Sequence, residues 1–159
     1  MKTSNFAFAL ATTALLATLA LPAHADSYAL PKNAAFQEEC ASCHMAFPPQ
    51  MLDARSWQQV MGGLDKHFGT DASLDEKRRV AITDFLLLHS GGRKTGITVD
   101  ASGKPLLRIT ETERFIRKHR EITPATFKRA SIKSAANCTA CHSNAAAGDY
   151  SERNVSIPK

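Results

Sequence analysis

The amino-acid sequence predicts a mainly α-helical domain in which several short helices are joined by long loops. Apolar residues recur at helical spacing in segments bounded by glycine and proline, which supports short helices. The pattern Cys-x-x-Cys-His occurs twice, at residues 40–44 and 138–142, and uses all four cysteines. This pattern is the attachment sequence for c-type haem. We therefore expect the helices to pack around two covalently attached haem groups.

Each pentapeptide places its reactive groups where haem attachment requires them. Two thiols add to the two vinyl groups of one haem, and a two-residue spacer lets one helical turn carry both. The histidine that follows the second cysteine then binds the iron as the proximal ligand. The chain is thus expected to be a small dihaem c-type cytochrome with two haem c groups. The attachment sites are Cys40, Cys43, Cys138 and Cys141, and the proximal ligands are His44 and His142.

Three other interpretations of the cysteines are weaker. Zinc-binding pairs usually lie about 12–20 residues apart, whereas most of the chain separates Cys43 from Cys138. A thioredoxin-like redox pair requires a βαβ context, and the surroundings here are predicted to be helical. Structural disulfides are compatible with an exported protein. Neither a redox pair nor a disulfide explains why histidine follows both pairs.

Residues 1–25 have the features of a cleaved signal peptide. Lys2 supplies the positive end, residues 6–21 form an apolar run, and Ala23-His24-Ala25 is a small-x-small cleavage site. The run contains three threonines and is short for a bilayer span of about 20 residues, so an uncleaved anchor is only an alternative. Attachment of c-type haem is completed outside the cytoplasm in bacteria. A periplasmic mature chain without a membrane span is therefore expected.

The mature chain, residues 26–159, is expected to form one domain. It divides into a haem 1 half at about residues 26–92, a connector at about 93–109 and a haem 2 half at about 110–159. Without Lys2 the chain has 19 basic and 15 acidic residues, a net charge of +4. The haem propionates bring this charge nearer to zero. Such a balance does not support nucleic acid or a membrane surface as a partner.

Capping patterns predict where the helices begin. Asn33 is a candidate N-cap for a helix that leads into the first haem motif. Three capping boxes pair Ser or Thr with Glu or Gln three residues later. They are Ser56–Gln59, Ser73–Glu76 and Thr110–Glu113. The first of these helices is predicted to end at Gly69 and the second at Gly91–Gly92.

Two histidines outside the motifs are candidate sixth ligands. His67 lies ten residues after Trp57, nearly three helical turns, and so shares its apolar face. His119 shares a face with Phe115 and is the corresponding candidate in the second half. For each, the alternative is a core histidine bonded to the backbone. His89 is an alternative ligand, although the last turn of a helix favours histidine without any metal.

The number of histidines available to each iron indicates the type of haem chemistry. Two histidines per iron give a saturated, low-spin centre with a lower potential than histidine and methionine together. A saturated iron has no open position for a substrate, so outer-sphere electron transfer is expected. Methionine ligation through Met45, Met51 or Met61 remains open, as does crossed ligation in which His67 serves the second haem.

Much of the mature chain resembles the bacterial dihaem cytochrome c family of small periplasmic electron carriers. The matching stretches are Glu39-Cys-Ala-Ser-Cys-His-Met-Ala-Phe-Pro-Pro49, Ala54-Arg-Ser-Trp57, Gly63-Leu-Asp-Lys-His-Phe-Gly69, Arg108-Ile-Thr-Glu-Thr112, the helix around His119, and Lys133-Ser-Ala-Ala-Asn-Cys-Thr-Ala-Cys-His142. The resemblance implies bis-histidine haems, with His44 and His67 on the haem 1 iron and His142 and His119 on the haem 2 iron. Position 89 is not a ligand in the family pattern.

The resemblance also implies redox partners. These are a membrane cytochrome b as electron source and a small oxygen-binding monohaem cytochrome c as acceptor. Two other functions remain as alternatives to an electron carrier: a dihaem enzyme of the peroxidase or reductase type, and a gas or redox sensor, each with one open iron. Dihaem peroxidases are much longer chains, and no signalling domain is attached here.

Overall fold

The structure is a computed structural model that describes residues 26–92 and 95–159. The predicted signal peptide, residues 1–25, lies outside the described residues. Within the described ranges the chain forms short α-helices and no β-strand, which confirms the mainly α-helical fold class. The helices are α1 (Ala34–Cys40), α2 (Ala54–Gly62), α3 (Glu76–His89), α4 (Glu113–Lys118) and α5 (Pro124–Phe127). Single turns of 3-10 helix cover Pro49–Met51, Leu64–Lys66, Ile109–Glu111, Cys138–Ala140, Ala145–Ala147 and Glu152–Asn154.

The helices begin at side-chain caps, but three of these caps differ from the predicted ones. Asn33 caps α1 as predicted, since its Oδ1 accepts from the Phe36 N–H at 2.9 Å. The three capping-box predictions are wrong. The observed caps are Asp53 for α2, Asp75 for α3 and Thr112 for α4. Each accepts from the backbone N–H three residues later, which satisfies a donor that the helix leaves unpaired.

The helix predicted to reach Gly69 ends much earlier. Its cap residue, Gly63, donates its N–H to the Val60 carbonyl at 3.2 Å, and α2 stops at Gly62. The chain continues as the 3-10 turn Leu64–Lys66 and then leaves helical structure at His67. By contrast, α3 ends at His89, close to the predicted end at Gly91–Gly92. Two adjacent glycines, neither of which favours helix, explain the break in α2.

The main core lies in the first half of the chain. Helix α3 packs against α2 and α1, and the indole Nε1 of Trp57 donates to the Pro49 carbonyl at 2.7 Å. Arg78 on α3 binds the carboxylates of Glu38 and Glu39 on α1. The buried cluster consists of Phe36, Leu52, Trp57, Val60, Met61, Ile82, Phe85 and Leu86. The first haem motif is therefore attached to a well-packed three-helix unit.

The second half has little core of its own. Its buried apolar side chains, within the described residues 110–159, are Ile132 and Ala145. It is closed by the two ends of the described chain: the Tyr28 N–H donates to the Gly148 carbonyl and the Tyr150 N–H to the Asp26 carbonyl, both at 2.8 Å. These contacts enclose a cavity rather than a packed centre.

The connector contains a tight turn. The Asp100 N–H donates to the Lys104 carbonyl at 2.9 Å, and Val99 and Pro105 form an antiparallel bridge around Ser102 and Gly103. Over the described ranges, none of the helices has the length and apolar character needed to cross a membrane.

Two leucines on α3 provide a test of the core. Leu86 is 1% exposed and Leu88 is 79% exposed. Leu86→Ala should lower the free energy of unfolding by about 2–5 kcal/mol, because a cavity replaces packed methyl groups. Leu88→Ala should change it by less than about 0.5 kcal/mol. Denaturant unfolding of the haem-loaded protein measures both, and equal losses would contradict this packing.

Candidate haem-binding sites

The first haem motif begins where α1 ends. Cys40 is the last residue of α1, and the next residue, Ala41, closes the helix by donating its N–H to the Gln37 carbonyl at 3.1 Å. Ser42 then donates its hydroxyl to the Glu39 carbonyl at 2.8 Å. Cys40 is half-buried, whereas Cys43 and His44 are exposed. A haem attached here would cover the side chains of Cys43 and His44, which are otherwise exposed to solvent.

The structure places His67 opposite His44. The two ring centroids lie 6.2 Å apart and the ring planes differ by 24°. Nδ1 of His44 contacts the Met45 carbonyl at 2.7 Å, so as a donor it leaves Nε2 available to a metal. Sequence periodicity selected His67 as a residue within a helix, and this reason is wrong, because His67 lies beyond α2 in a turn. That turn is held by a bond from the Thr70 N–H to the His67 carbonyl at 3.0 Å.

The second motif is held in the 3-10 turn Cys138–Ala140. The Asn137 amide donates to the Ile132 carbonyl at 2.9 Å, which ties this turn to the buried wall of the cavity. The His142 N–H donates to the Cys138 carbonyl at 2.8 Å. One turn therefore brings both thiols and the histidine together, as the predicted attachment chemistry requires.

The structure likewise places His119 opposite His142. Their ring centroids lie 6.1 Å apart, with the planes 76° from parallel. His119 is the C-cap of α4, and its Nδ1 contacts the Phe115 carbonyl at 2.8 Å. Its ring stacks on the Phe115 ring at 4.0 Å with an angle of 20°. The orientation of His119 is thus fixed by α4 and is not that of a residue within the helix.

The spacing of both histidine pairs fits a shared metal ion. An imidazole nitrogen binds a metal ion at about 2.0 Å and lies about 1.1 Å from the ring centre, so two imidazoles on opposite sides of one ion have ring centres about 6.2 Å apart. The observed 6.2 Å and 6.1 Å match this value. Each pair is therefore compatible with two imidazoles that bind one metal ion from opposite sides.

The second pair faces a cavity of about 820 Å³. Cofactor and ligand cavities usually measure about 300–1,000 Å³. Nδ1 of His142 is buried without a hydrogen-bond partner in the described part of the chain. An unpaired buried nitrogen is costly, so this imidazole has binding capacity that the described residues do not use. The residues present therefore fit a haem.

Burial shifts the acid–base properties of these side chains. It lowers the pKa of His67, with a further contribution from the charge of His44, and it lowers the pKa of His142. Both imidazoles thus favour the neutral form that binds iron. Burial raises the pKa of the Cys40 and Cys138 thiols to about 11. They are protonated at neutral pH, unlike the thiolates of redox-active pairs.

The other interpretations of the cysteines and histidines gain no support from the geometry. All four cysteines are unpaired in the structure. In the part of the chain that the structure describes, no three His, Cys, Asp or Glu side chains converge as a zinc site requires. His89 packs against Phe85 on α3, with ring centroids 4.9 Å apart, and lies on a different element from either histidine pair. Met61 is buried in the core.

Several aromatic contacts at these sites were not predicted from the sequence. Phe115 fixes the His119 ring, and Tyr150 packs against His142 with ring centroids 5.3 Å apart. Tyr28 in turn meets Tyr150 edge-to-face at 5.6 Å. Spacing along α4 gave a signal for Phe115, four residues before His119. No sequence pattern indicated Tyr28, because its position depends on contacts between two segments that are distant in the sequence.

Comparison with known proteins agrees with this geometry. A family profile described as dihaem cytochrome c matches residues 36–150. A diheme cytochrome c from Shewanella baltica is 35% identical, with a TM-score of 0.68 over 81% of this chain and 95% of that one. A structure of DHC from Rhodobacter sphaeroides is 39% identical, with a TM-score of 0.64 over 77% of this chain and 100% of that one. Among curated proteins no match was found.

Short helices, two Cys-x-x-Cys-His turns and two facing histidine pairs define a c-type cytochrome with two haem groups. The extent of the profile match and the identity to the solved structures make the assignment more specific. The chain belongs to the dihaem cytochrome c family. Membership gives it two haem c groups and implies an electron-transfer protein.

Histidine substitutions test the pairing. His67→Ala and His119→Ala should each convert about half of the ferric haem from low-spin to high-spin, because one axial ligand is lost. His89→Ala is the matched control and should leave both haems low-spin. Absorption spectra of the three purified haem-loaded variants measure the change. A spin change in His89→Ala alone would show that the pairs are assigned wrongly.

Proposed function

We propose that this chain is a periplasmic electron carrier in which each haem iron has two histidine ligands. His44 and His67 bind the iron of haem 1, which is attached to Cys40 and Cys43. His142 and His119 bind the iron of haem 2, which is attached to Cys138 and Cys141. The observation that carries the proposal is the distance between ring centres in the two histidine pairs, 6.2 Å and 6.1 Å. Both match the distance expected for two imidazoles that bind one metal ion.

The bound haems supply reversible one-electron chemistry at iron. The chain's own residues keep the histidine ligands in fixed positions while the charge of the iron changes. Carbonyl groups of Met45 and Phe115 accept from Nδ1 of His44 and His119, which fixes the tautomer and the ring direction. Because two histidines would bind each iron, no position on the iron would remain for a substrate. The function that follows is outer-sphere electron transfer and not bond chemistry at the iron.

The proposal includes processing of the chain. Residues 1–25 act as a signal peptide that is removed on export, and residues 26–159 form the mature domain with its two halves and connector. Support comes from the first residue after the cleavage site. Asp26 forms ion pairs with Arg114 at 3.1 Å and Lys118 at 3.0 Å, so this residue is already part of the folded structure.

The proposed partners follow from the resemblance to the family. A membrane cytochrome b supplies electrons, and a small monohaem cytochrome c accepts them. Both are macromolecules, and a saturated iron that is reached through the haem edge suits exchange between proteins. The chain thus acts between a membrane donor and a soluble acceptor.

Paramagnetic resonance spectra test the ligand geometry. The angle between two axial imidazole planes affects the iron d orbitals, and this angle is 24° in one pair and 76° in the other. The ferric protein should therefore give two different low-spin spectra. Phe115→Leu should alter the spectrum of haem 2 alone, while Phe85→Leu, beside His89, should alter neither. A single set of g values for both haems would contradict this geometry.

Carbon monoxide binding tests the function. The reduced haem-loaded protein should show no change in its absorption spectrum on addition of carbon monoxide, because both irons are saturated. His119→Ala provides the positive control, with about half of the haem shifting. If half of the haem in the unmodified protein shifted, one iron would be open and an enzyme or sensor would be the better interpretation.

A further inference from the structure

Basic and acidic side chains are divided unevenly between the two halves. Residues 26–92 contain six basic and nine acidic side chains, a net charge of −3. Residues 110–159 contain nine basic and five acidic side chains, a net charge of +4. Each ferric haem adds about one negative charge, because its two propionates exceed the single positive charge of the iron porphyrin. Each half gains the same negative charge from its haem, so the difference in net charge between the two halves remains.

Most of the positive charge lies on one segment around haem 2. Residues 113–133 contain seven basic and two acidic side chains and include α4 and α5. Ring contacts join the two helices, since the Phe127 centroid lies 6.0 Å from Phe115 and 6.1 Å from His119. The segment therefore forms one wall beside the histidine that faces His142.

Part of this charge is used inside the fold. Asp26 binds both Arg114 and Lys118. The side chain of Arg114 is only 18% exposed, and its guanidinium also faces the ring of Tyr28 at 5.8 Å. These two cations hold the amino-terminal segment in place, and the Lys118 side chain remains 35% exposed.

The remaining five basic side chains are exposed, although Arg129 donates to the Pro158 carbonyl at 2.8 Å and Arg120 lies 3.8 Å from the Glu121 carboxylate. Arg117, Arg120, Lys128 and Lys133 are exposed, and we refer to these four residues as the basic face. Ile116, next to Arg117 on α4, is an apolar side chain with 59% exposure. Arg117 and Arg120 border the cavity of haem 2, whereas Lys128 and Lys133 are outside its lining in the described chain. An apolar residue within charges of one sign is typical of a transient protein interface.

We propose that the basic face is the docking site for an acidic redox protein, which exchanges electrons with haem 2 and not with haem 1. This inference rests on the proposed electron-carrier function. Opposite charge steers the partner to this side of the molecule and raises the association rate. The acidic haem 1 half repels the same partner. In the exchange, one electron passes from the reduced partner to the ferric iron of haem 2, and no bond is made or broken.

Four lysines allow a matched test. Lys128→Glu with Lys133→Glu reverses two charges on the basic face, at positions outside the haem cavity. Lys32→Glu with Lys77→Glu makes the same change at exposed positions of the haem 1 half. The probe is a reduced plant-type ferredoxin, an acidic iron–sulfur protein and a strong reductant. Stopped-flow absorption of the haem-loaded proteins measures the second-order rate constant of haem reduction at several salt concentrations.

At low salt the basic-face variant should react about fivefold more slowly than the unmodified protein, and the control less than twofold more slowly. The difference should vanish at high salt, where screening removes the attraction. Equal losses in both variants, or none in the first, would overturn the proposed docking site. A loss that follows a changed reduction potential of haem 2 would overturn it as well.

The same samples separate this inference from the proposed function. Carbon monoxide is added to a reduced portion of each protein. If carbon monoxide binds to the unmodified protein, the electron-carrier proposal fails. If carbon monoxide does not bind and the rates are independent of the basic face, only the docking proposal fails.

Discussion

Two imidazoles that bind one metal ion from opposite sides have ring centres about 6 Å apart. Two distant segments of the chain must therefore hold their histidines at this separation. Both sites meet this requirement in the same way. His67 and His119 each occupy the position that ends a helical turn, where the chain leaves the helix. A residue there can turn its ring towards another segment while its backbone N–H still closes the helix.

The sequence predicted the local chemistry well and the local structure only in part. Two Cys-x-x-Cys-His motifs indicated the sites, because attachment requires a fixed spacing along the chain. Helical periodicity also selected His67 and His119, but it placed them within helices that in fact end before them. The capping boxes failed where Asp53, Asp75 and Thr112, each a good cap, lay nearby. The facing of the rings and the contacts of Tyr28 depend on tertiary packing, which no local pattern contains.

The two halves are stabilised by different means. The first has an apolar cluster between α2 and α3 and needs haem 1 mainly to cover an exposed face. The second surrounds a cavity, and in the described chain its own apolar core consists of little more than Ile132. Haem 2 therefore supplies apolar contacts that the small core of this half does not provide, so its binding free energy contributes to folding. We expect the haem-free chain to lose structure first in this half.

The junction of the two chain ends has a consequence for the order of assembly. A Cβ atom at position 148 would collide with the carbonyl oxygen of Tyr28, and the backbone there is left-handed with φ of +80°. Only glycine allows the strand-like contact between residues 26–28 and 148–150. Synthesis delivers the first of these segments long before the second. The haem 1 half can be completed while the chain is still emerging, but the haem 2 half must wait for residues 148–150.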